Sequence, residues 1–511
     1  MNYLLNFISV FILTLNKVTP CDYNITGDIS HCLYKIPINY YPDFFLDKIV
    51  VDYSYKNKYI LNNIFDNIVP DSKIIIGESK LDRYPVRGGI VIDNTKNLII
   101  DLKGIIDFGG CTFSNNLYYN DSNCALKIRN YPGFSLNPSK SNVESMITIS
   151  NYYNLTITSS NREGKFIGGG DQWYGFLNAL YLGDSMKTKP IFLNGRYGNN
   201  YKFTMEYVTF HQPAYWTIYI AVDNVYIHNI GVFAHSEEYN KIYKEISDDS
   251  PITNKMLAQI KAFNTDGIDI HGSNVYIHDC HIHVGDDCIA VKDGSDWIVE
   301  DITASGMGMS IGSVGFAENI VFRNIFFTNT IRAIFVKTDS KNIIFENFYV
   351  KKALIFPVWI GPAYQGINNN CPLTWPFIST KLTSLMSYFL YTNFNIINNL
   401  CIPTINSIGS ITIENITILE SATTPFVIIA NNNYKISVTN FNVIKTKSEG
   451  FPFSSSNKCY LLNSTTSNID FCNTTSSFGC KTVGNRDAIQ PCCEQYYPYK
   501  GGKWGYCDTF I

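Results

Sequence analysis

Three aspartates, separated by one repeating step, are the residues in this chain best suited to chemistry. Asp266 comes first, and the adjacent pair Asp286 and Asp287 begins twenty residues later. Met307 lies twenty-one residues after Asp286, inside a glycine-rich turn. In a coiled repeat of that length, residues one period apart stack at the strand spacing of roughly 4.8 Å. We therefore expect the three carboxylates and Met307 to form a column on one face of successive coils.

Clustered carboxylates repel one another and are costly to bury without a partner. The repulsion raises the pKa of at least one member while the others stay ionised, which supplies an acid and a base. Glycoside hydrolysis uses that pair, and one rung plus a sideways offset would give about the 6.5–9.5 Å separation of an inverting enzyme. Two other interpretations stay open, a calcium site and ordinary turn chemistry at Gly-Asp-Asp.

The segments that must position these residues repeat at a nearly constant interval. From about residue 96 onward, a turn and an Asn or its substitute precede alternating apolar residues, as in NVYIHDCHI at Asn274. The steps from Asn274 are 23, 22 and 23 residues, and the step from Ser410 to Lys435 is 25. Strand-type residues alternating at a fixed period predict stacked coils, each burying its apolar face against its neighbours. We predict an all-β fold, a single-stranded parallel β-helix, with a short-stranded β-sandwich as the alternative.

Two segments interrupt the period and a third follows it. The segment at about 237–261 is charged and partly helix-like, and that at about 353–405 is rich in Pro, Trp, Tyr and Asn. Long loops of a repeat scaffold gather on one face, so we expect both insertions to wall a groove. The segment 451–511 holds six of the fourteen cysteines, which predicts a disulfide-stapled, Cys-rich extension after a β-helix domain at 21–450.

Several features favour a secreted protein. An apolar run from about Leu4 to Leu15 has the length of a signal-peptide core, so residues 1–20 are expected to be a signal peptide, a buried N-terminal strand being the alternative. The cysteine count favours an oxidising compartment and disulfide bonds. Six N-x-S/T sequons predict a glycoprotein, namely Asn24, Asn120, Asn154, Asn415, Asn463 and Asn473.

The composition limits the partners. Charged residues make up 16% of the chain and the formal net charge is −3, which argues against disorder and against a nucleic-acid-binding surface. No second apolar run of about 18 residues follows the N-terminal one, so no membrane association is expected once the signal is removed. We expect a secreted, extracellular monomer with no metal and no cofactor.

The motifs around the aspartates resemble a known family. Asn264-Thr265-Asp266, Gly285-Asp286-Asp287 and SIGSVG at 310–315 are similar to the polygalacturonase family, the pectin-cleaving glycoside hydrolases. The likeness extends through GGGDQWYG at 168–175 and KPIFLNG at 189–195, and it covers roughly residues 85–445. It implies a right-handed parallel β-helix and hydrolysis with inversion. By this resemblance Asp286 would protonate the leaving oxygen, and Asp266 with Asp287 would activate the water.

The chain departs from the family at two motifs. The family's G-H-G turn is here Gly306-Met307-Gly308, and its R-I-K triplet is Phe335-Val336-Lys337, so the supporting His and the carboxylate-binding Arg are replaced. Arg332 lies three residues before Phe335, but strand alternation gives it the opposite facing. Phe335 instead offers an apolar face of the kind on which sugars stack. The predicted substrate-binding residues are Asn264, Met307, Phe335 and Lys337.

These departures favour a rhamnose-containing or neutral glycan over plain homogalacturonan. The leading hypothesis is a secreted, inverting, polygalacturonase-like glycosidase that cleaves a pectin-type or related polysaccharide. The alternative is a catalytically impaired carbohydrate-binding protein on the same scaffold. A calcium-dependent lyase is a third interpretation, which would need a basic group to abstract a proton.

Other residues near the motifs carry smaller expectations. Cys288 lacks its family partner, because Thr303 occupies that place, so it either pairs with Cys280 or remains a free thiol. Four histidines at 271, 278, 281 and 283 have mixed facing and spacings unlike a zinc site, which indicates ordinary structural histidines. Lys292 and Asp293 follow the Gly-Asp-Asp turn and could line a subsite.

Overall fold

A computed structural model describes part of the chain with its side chains: residues 56–86, 88–108, 145–170, 190–234, 262, 264–354, 356–361, 409–421 and 435–444. It describes the backbone alone at 32–35, 47–55, 426–429, 434, 445–446, 460–462 and 469–472. The expected signal peptide, the insertion at 237–261, most of the insertion at 353–405 and nearly all of the Cys-rich extension lie outside the described residues. The domain boundaries therefore stay predictions.

The described chain is a right-handed parallel β-helix, as predicted, with three stacks of strands. The first stack begins with β1 (Cys32–Lys35), β2 (Ser72–Ile76), β5 (Lys96–Leu102), β8 (Tyr153–Thr158), β11 (Tyr201–Glu206) and β14 (Asp223–His228). The second stack begins with β3 (Arg83–Pro85), β6 (Ile105–Asp107), β9 (Lys165–Ile167), β12 (Thr209–His211) and β15 (Gly231–Phe233).

Long strands span both of these stacks from β17 onward. They are β17 (Val275–His283), β18 (Ile289–Ser305), β20 (Ala317–Thr330), β22 (Ser340–Ala353), β24 (Gly409–Ser421) and β26 (Tyr434–Thr446), followed by β28 (Ile469–Cys472). The third stack, which carries the site, consists of the first residues of β18 and of β4 (Ile90–Asp93), β7 (Ile147–Ser150), β10 (Leu193–Gly195), β13 (Ile218–Ala221), β16 (Ile268–His271), β19 (Met309–Ile311), β21 (Ile334–Val336), β23 (Val358–Ile360), β25 (Phe426–Ile429) and β27 (Tyr460–Leu462).

Inward-facing apolar residues of successive coils stack into columns that fill the helix. One column pairs Ile277, Val299, Phe322, Phe345 and Ile413 in register, and all five side chains are fully buried. The rings of Phe322 and Phe345 stack with centroids 5.1 Å apart and planes 5° apart. Removing this β-branched and aromatic surface from water is the main stabilising contribution to the fold.

Asparagine and aspartate side chains form ladders along the bends between strands. Their backbones have φ values between 51° and 62°, a left-handed region that these two residue types tolerate better than most. Each amide donates to the side chain one coil earlier, as in Asn342 to Asn319 (3.0 Å), Asn324 to Asp301 (3.2 Å) and Asn440 to Asn415 (2.9 Å). The abundant asparagines at these bends therefore have a structural role.

Strand pairing changes the first two of the three predicted steps. Val275 pairs with Trp297, Trp297 with Ile320 and Ile320 with Ile343, so the steps are 22, 23 and 23 residues. The turn position opposite Asn274 therefore belongs to Asp296, and Trp297 takes the following inward position. Trp297 is 1% exposed and its indole N–H donates to the carbonyl of Gly272 at 2.8 Å, which fixes it inside the coil.

A helix that the strand pattern did not predict, α1 (Asp47–Asp66), precedes the regular coils. Leu61 and Phe65 pack into the core, so the helix buries apolar surface at this part of the β-helix. Asn57 donates to the carbonyl of Pro85 at 2.7 Å, and Asn62 donates to that of Gly89 at 3.1 Å. Within the described ranges, no helix combines the length and apolar character needed to cross a membrane.

We predict that Phe345→Ala lowers the free energy of unfolding by about 3–5 kcal/mol, because it empties a fully buried position in the aromatic column. Denaturant unfolding of the purified protein, followed by circular dichroism, measures this change. Ile298→Ala is the matched control, since that side chain faces outward and is 41% exposed, and it should change the value by less than about 0.5 kcal/mol. Equal losses in the two variants would contradict the assignment of the core.

Candidate active site

Asp266 and Asp287 lie in line before successive strands of the third stack, and Asp286 shares the turn of Asp287. Ile268 pairs in register with Ile289, and Ile289 pairs with Met309. The residues two positions before each of these three are therefore aligned as well. Those residues are Asp266, Asp287 and Met307, so the predicted column is present for these three, and Asp286 lies beside it. The N–H of Gly267 donates to the carbonyl of Asp287 at 2.9 Å, and the N–H of Met307 donates to that of Asp286 at 2.7 Å.

The carboxylates are closer together than the sequence suggested. One oxygen from each of Asp266, Asp286 and Asp287 lies within 4.8 Å of the other two. The expected separation of about 6.5–9.5 Å was therefore too wide for these oxygens. The prediction assumed a sideways offset between the carboxylates of neighbouring coils. In the structure the strands pair directly, and Asp286 and Asp287 share one turn. In the part of the chain that the structure describes, this is the one trio of potential metal-ligating side chains that come so close.

Asp287 has a partner for each carboxylate oxygen. The hydroxyl of Ser310, in the next coil, donates to Oδ1 at 2.7 Å, and the Lys337 ammonium forms an ion pair with Oδ2. Asp287 is 1% exposed and Lys337 is 6% exposed, so the pair is buried. The hydroxyl and the ammonium thus hold the Asp287 carboxylate in place, and Lys337 brings a positive charge into the acidic cluster.

Asp286 has a different environment. Its Oδ1 accepts the N–H of Asp287 at 2.9 Å, and no ammonium within the described residues forms an ion pair with it. Burial and the negative charge of Asp287 raise the pKa of Asp286 to about 7, although Lys337 and Lys292 oppose the shift. Asp286 is therefore a carboxyl group that holds a proton near neutral pH, which is the property required of a general acid.

Asp266 is also surrounded by negative charge. Burial, followed by Asp269 and Asp286, raises the pKa of Asp266 well above its usual range, and the Lys292 ammonium, 3.7 Å from Oδ2, lowers it. Its Oδ1 is buried and has no hydrogen-bond partner among the described side chains and backbone. That oxygen is free to accept a hydrogen bond from a water or a substrate hydroxyl.

Asp269 and its partner Lys292 complete the cluster. Asp269 was not identified as a site residue from the sequence. The Lys292 ammonium lies 3.0 Å from Asp269 Oδ2, and both side chains are almost fully buried. A bulge in the pairing of β16 with β18 inserts Lys292 as an extra residue between Val291 and Asp293. Alternation in Ile268-Asp269-Ile270 was the available signal, because it places a carboxylate on the outer face of the same strand.

The Gly306-Met307-Gly308 turn closes against Asp286. A Cβ at Gly306 would lie 2.6 Å from the Asp286 carbonyl oxygen and 2.8 Å from the Cys288 sulfur, so no larger residue fits there. Gly308 has a φ of +94°, which favours glycine. Met307 is 2% exposed and packs as a buried apolar residue. The backbone contact to Asp286 thus persists without a histidine side chain.

Phe335 and Arg332 occupy positions different from those expected. Phe335 is 4% exposed, and the Arg332 guanidinium and the Lys337 ammonium lie 4.5 Å and 4.3 Å from its ring centroid. The ring is therefore covered by cations, and it is not an open stacking platform. The prediction that Arg332 faces away from Phe335 was wrong, because β21 begins at Ile334 and strand alternation does not extend back to residue 332.

Asn264 lies at the entrance to the first motif. It has a left-handed φ of 62° and is 8% exposed, which places its amide at the turn leading into Asp266. The hydroxyl of the neighbouring Thr265 donates to the Ala262 carbonyl at 2.6 Å and accepts the Gly285 N–H at 2.9 Å. This bridge ties the turn before Asp266 to the turn that carries Asp286 and Asp287.

Comparison with known proteins agrees with this geometry. Residues 123–374, which include all three aspartates, match the sequence profile of glycosyl hydrolases family 28. The chain carries a family 28 glycosyl hydrolase domain. It is 30% identical over 217 residues to a probable rhamnogalacturonase C of Aspergillus flavus, covering 40% of each chain, and 37% identical over 93 residues to a probable rhamnogalacturonase E of Aspergillus oryzae, covering 16% of this chain and 22% of that relative.

A solved structure shares the architecture of the family 28 domain. The endo-xylogalacturonan hydrolase of Aspergillus tubingensis superposes with a TM-score of 0.53 at 17% identity, covering 88% of this chain and 99% of that one. At this identity the likeness concerns the fold. The chain spans 40% or less of the length of the two curated relatives above, so the likeness to them is partial.

The cysteines and histidines of the family 28 domain have ordinary surroundings. Cys280 and Cys288 are both buried, and no disulfide bond joins them to each other. His271 contacts Asp293 at 2.8 Å, and His278 contacts Asp279 at 2.6 Å. These side-chain partners agree with the structural interpretation of the two histidines.

The raised pKa of Asp286 predicts how the free energy of unfolding depends on pH. Folded Asp286 holds its proton up to about pH 7, whereas an unfolded aspartate releases it near its usual pKa of about 3.9. The folded state binds more protons between those values, so the contribution of this group is full below about pH 4 and is lost as the pH rises through 7. Asp286→Asn does not titrate, and we expect it to exceed the parent protein in stability by up to about 4 kcal/mol at pH 8.

Denaturant unfolding of both proteins from pH 4 to pH 8 measures this difference. Asp296→Asn, at an exposed turn of the same coil, is the matched control and should show no such trend. A difference between Asp286→Asn and the parent that stays constant with pH would contradict the raised pKa.

Proposed function

We propose that this family 28 domain hydrolyses glycosidic bonds of a pectin-type polysaccharide, with Asp286 as general acid and Asp266 and Asp287 as general base. The observation that carries the proposal is the contrast between two adjacent carboxyl groups. Asp287 is ion-paired to Lys337, whereas Asp286 is buried beside that charge and has its pKa raised to about 7. One turn thus presents a proton donor and a carboxylate at the same point.

In the acid step, Asp286 would give its proton to the glycosidic oxygen as the bond to the leaving sugar breaks. Its raised pKa lets it do so at mildly acidic to neutral pH. The buried Met307 adds apolar surface where the family carries a histidine, and an apolar neighbour favours the protonated acid. The substitution is therefore compatible with acid catalysis by Asp286.

In the base step, a water held between Asp266 and Asp287 would attack the anomeric carbon. The unpartnered Oδ1 of Asp266 can accept one hydrogen of that water. Lys292 and Lys337 neutralise part of the cluster's negative charge, which allows a carboxylate to remain ionised in a buried site. The acid and the base would exchange protonation states during the reaction, and solvent would restore them.

The substrate class follows from the relatives and from position 335. Both curated relatives described above are probable rhamnogalacturonases, which supports a galacturonate- and rhamnose-containing backbone as the substrate. At position 335 the family's carboxylate-binding arginine is replaced by a phenylalanine. We therefore place rhamnogalacturonan ahead of plain homogalacturonan. Asn264, Met307, Phe335 and Lys337 remain the proposed residues of the sugar site; the buried Met307 and Phe335 would shape its wall, and Lys337 would act through Asp287.

The proposal includes action outside the cell. The apolar run at the N-terminus, the cysteine count and the sequons favour export, and polysaccharides of this kind are extracellular substrates. A secreted glycosidase acting alone, as a monomer without a cofactor, agrees with these features.

We predict that Asp286→Asn lowers kcat on rhamnogalacturonan by at least about 100-fold, because the amide cannot donate the proton that the leaving oxygen requires. Reducing-sugar release from a panel of pectic polysaccharides measures the rate. Asp296→Asn, an exposed aspartate on the first stack, should retain the parent rate. If the parent releases no sugar from any substrate yet binds one of them, the protein is a carbohydrate-binding protein on this scaffold.

We predict that the first-formed product has the inverted anomeric configuration. The unpartnered Oδ1 of Asp266 can hold a water beside the Asp287 carboxylate, which favours water as the nucleophile. The carboxylate oxygens lie close together, as they also do in retaining enzymes. The distance therefore does not decide between the two mechanisms, and the stereochemistry of the product tests them. Proton NMR of the product within minutes of mixing reads the configuration, and a retained anomer would overturn the single-displacement mechanism.

A further inference from the structure

Arg196 lies on the outer face of the third stack, on the same face as the catalytic aspartates. Gly195 points inward, since a Cβ there would lie 2.8 Å from both Ile149 and Ile220, and the next residue along the chain turns outward. Gly195 pairs with Ile220, and Ile220 pairs with Ile270 in the coil of Asp266. Arg196 is therefore two rungs, roughly 10 Å, from the coil that carries Asp266.

Its guanidinium is held by aromatic rings. The Arg196 Cζ lies 4.5 Å from the ring centroid of Tyr197 and 5.3 Å from that of Tyr219, and the guanidinium donates to the Tyr197 hydroxyl. The Arg196 N–H donates to the Asn194 side chain at 3.2 Å, which fixes the turn. No carboxylate in the described ranges forms an ion pair with Arg196. A partly exposed guanidinium placed by aromatic stacking, with its charge not neutralised, is suited to bind an anion.

An aromatic floor joins Arg196 to the catalytic cluster. Tyr219 packs edge-on against Trp216, with ring centroids 4.8 Å apart, and Trp216 stacks on Tyr215 at 4.7 Å. The Lys292 ammonium lies 5.8 Å from the Trp216 ring, and the Tyr219 hydroxyl contacts His271 at 3.1 Å. Tyr219 is the register partner of Asp269, so this floor runs directly into the acidic cluster.

We propose that Arg196, with Tyr197 and Tyr219, forms a subsite that binds the carboxylate of a uronate sugar at a distance from the cleaved bond. This subsite rests on the proposed glycosidase function, because it would bind another sugar of the same polysaccharide chain. The coils around the cleaved bond hold four buried carboxyl groups and two lysines, which disfavours binding a substrate carboxylate there. Arg196, which has no carboxylate partner among the described residues, supplies a positive charge two rungs away, where Tyr197, at 54% exposure, offers a ring to the sugar.

Binding measurements in an inactive background test the subsite without requiring turnover. Asp286→Asn is compared with Asp286→Asn/Arg196→Gln by calorimetry, using rhamnogalacturonan and polygalacturonate fragments and the same fragments after chemical reduction of their carboxyl groups. We expect Arg196→Gln to weaken binding of the acidic fragments by about tenfold or more, since a charge-assisted bidentate contact is lost. Binding of the reduced fragments should be unchanged.

Arg162→Gln is the matched control, because the Arg162 guanidinium also stacks on a tyrosine, 4.6 Å from the Tyr207 ring, but belongs to the turn between β8 and β9 away from the third stack. It should leave binding of every fragment unchanged. An equal loss with acidic and reduced fragments, an equal loss in Arg162→Gln, or no binding of any acidic fragment by Asp286→Asn would each overturn the subsite.

Kinetics in the active protein separate this inference from the proposed function. With Arg196→Gln alone, KM for an acidic polysaccharide should rise about tenfold while kcat stays within about twofold, since Arg196 does not touch the reacting atoms. Hydrolysis by the parent with unchanged KM in Arg196→Gln would overturn the subsite and leave the glycosidase function intact. Selective loss of binding in the inactive background, with no hydrolysis by the parent, would sustain the subsite and overturn the glycosidase function.

Discussion

Parallel pairing between successive coils positions every side chain of the site. Because Ile268, Ile289 and Met309 pair in register, the residues just before them are brought to one rung spacing from one another. The sequence separates Asp266 from Asp287 by twenty-one residues, and the ladder of hydrogen bonds brings their carboxylate oxygens within 4.8 Å. The bends that hold this register depend on left-handed Asn and Asp residues and on glycines such as Gly306 and Gly308.

That proximity creates an electrostatic problem, and two buried lysines reduce it. Burial disfavours the charged form of each carboxyl group, and neighbouring carboxylates add repulsion, so the pKa values of Asp266, Asp269 and Asp286 are raised. Lys337 binds Asp287, and Lys292 lies between Asp269 and Asp266. The lysines leave Asp286 as the carboxyl without an ion pair in the described site. The arrangement of cations thus distinguishes two adjacent aspartates that the sequence alone presents as equals.

The two family motifs that this chain rewrites have different structural consequences. At Met307 the backbone N–H donates to the Asp286 carbonyl, a contact that does not depend on the side chain, and the methionine side chain is buried. At Phe335 a ring fills the position, and Arg332 and Lys337 approach it. Phe335 is therefore enclosed by two buried cations, although the arginine of the similar motif is missing at this position.

The sequence by itself determined the repeat, the strand pattern and the identity of the three aspartates, because period-2 alternation and a step near 22 residues are local properties of the chain. It could also have yielded Asp269, which alternates with Ile268 and Ile270. It did not determine helix α1, the bulge that inserts Lys292 beside Asp269, or the packing of Arg332 on Phe335. Those features depend on where each strand begins and on which residue of a neighbouring coil it meets. Only the tertiary structure decides them, because the register between coils sets the distances between charges that lie far apart in the chain.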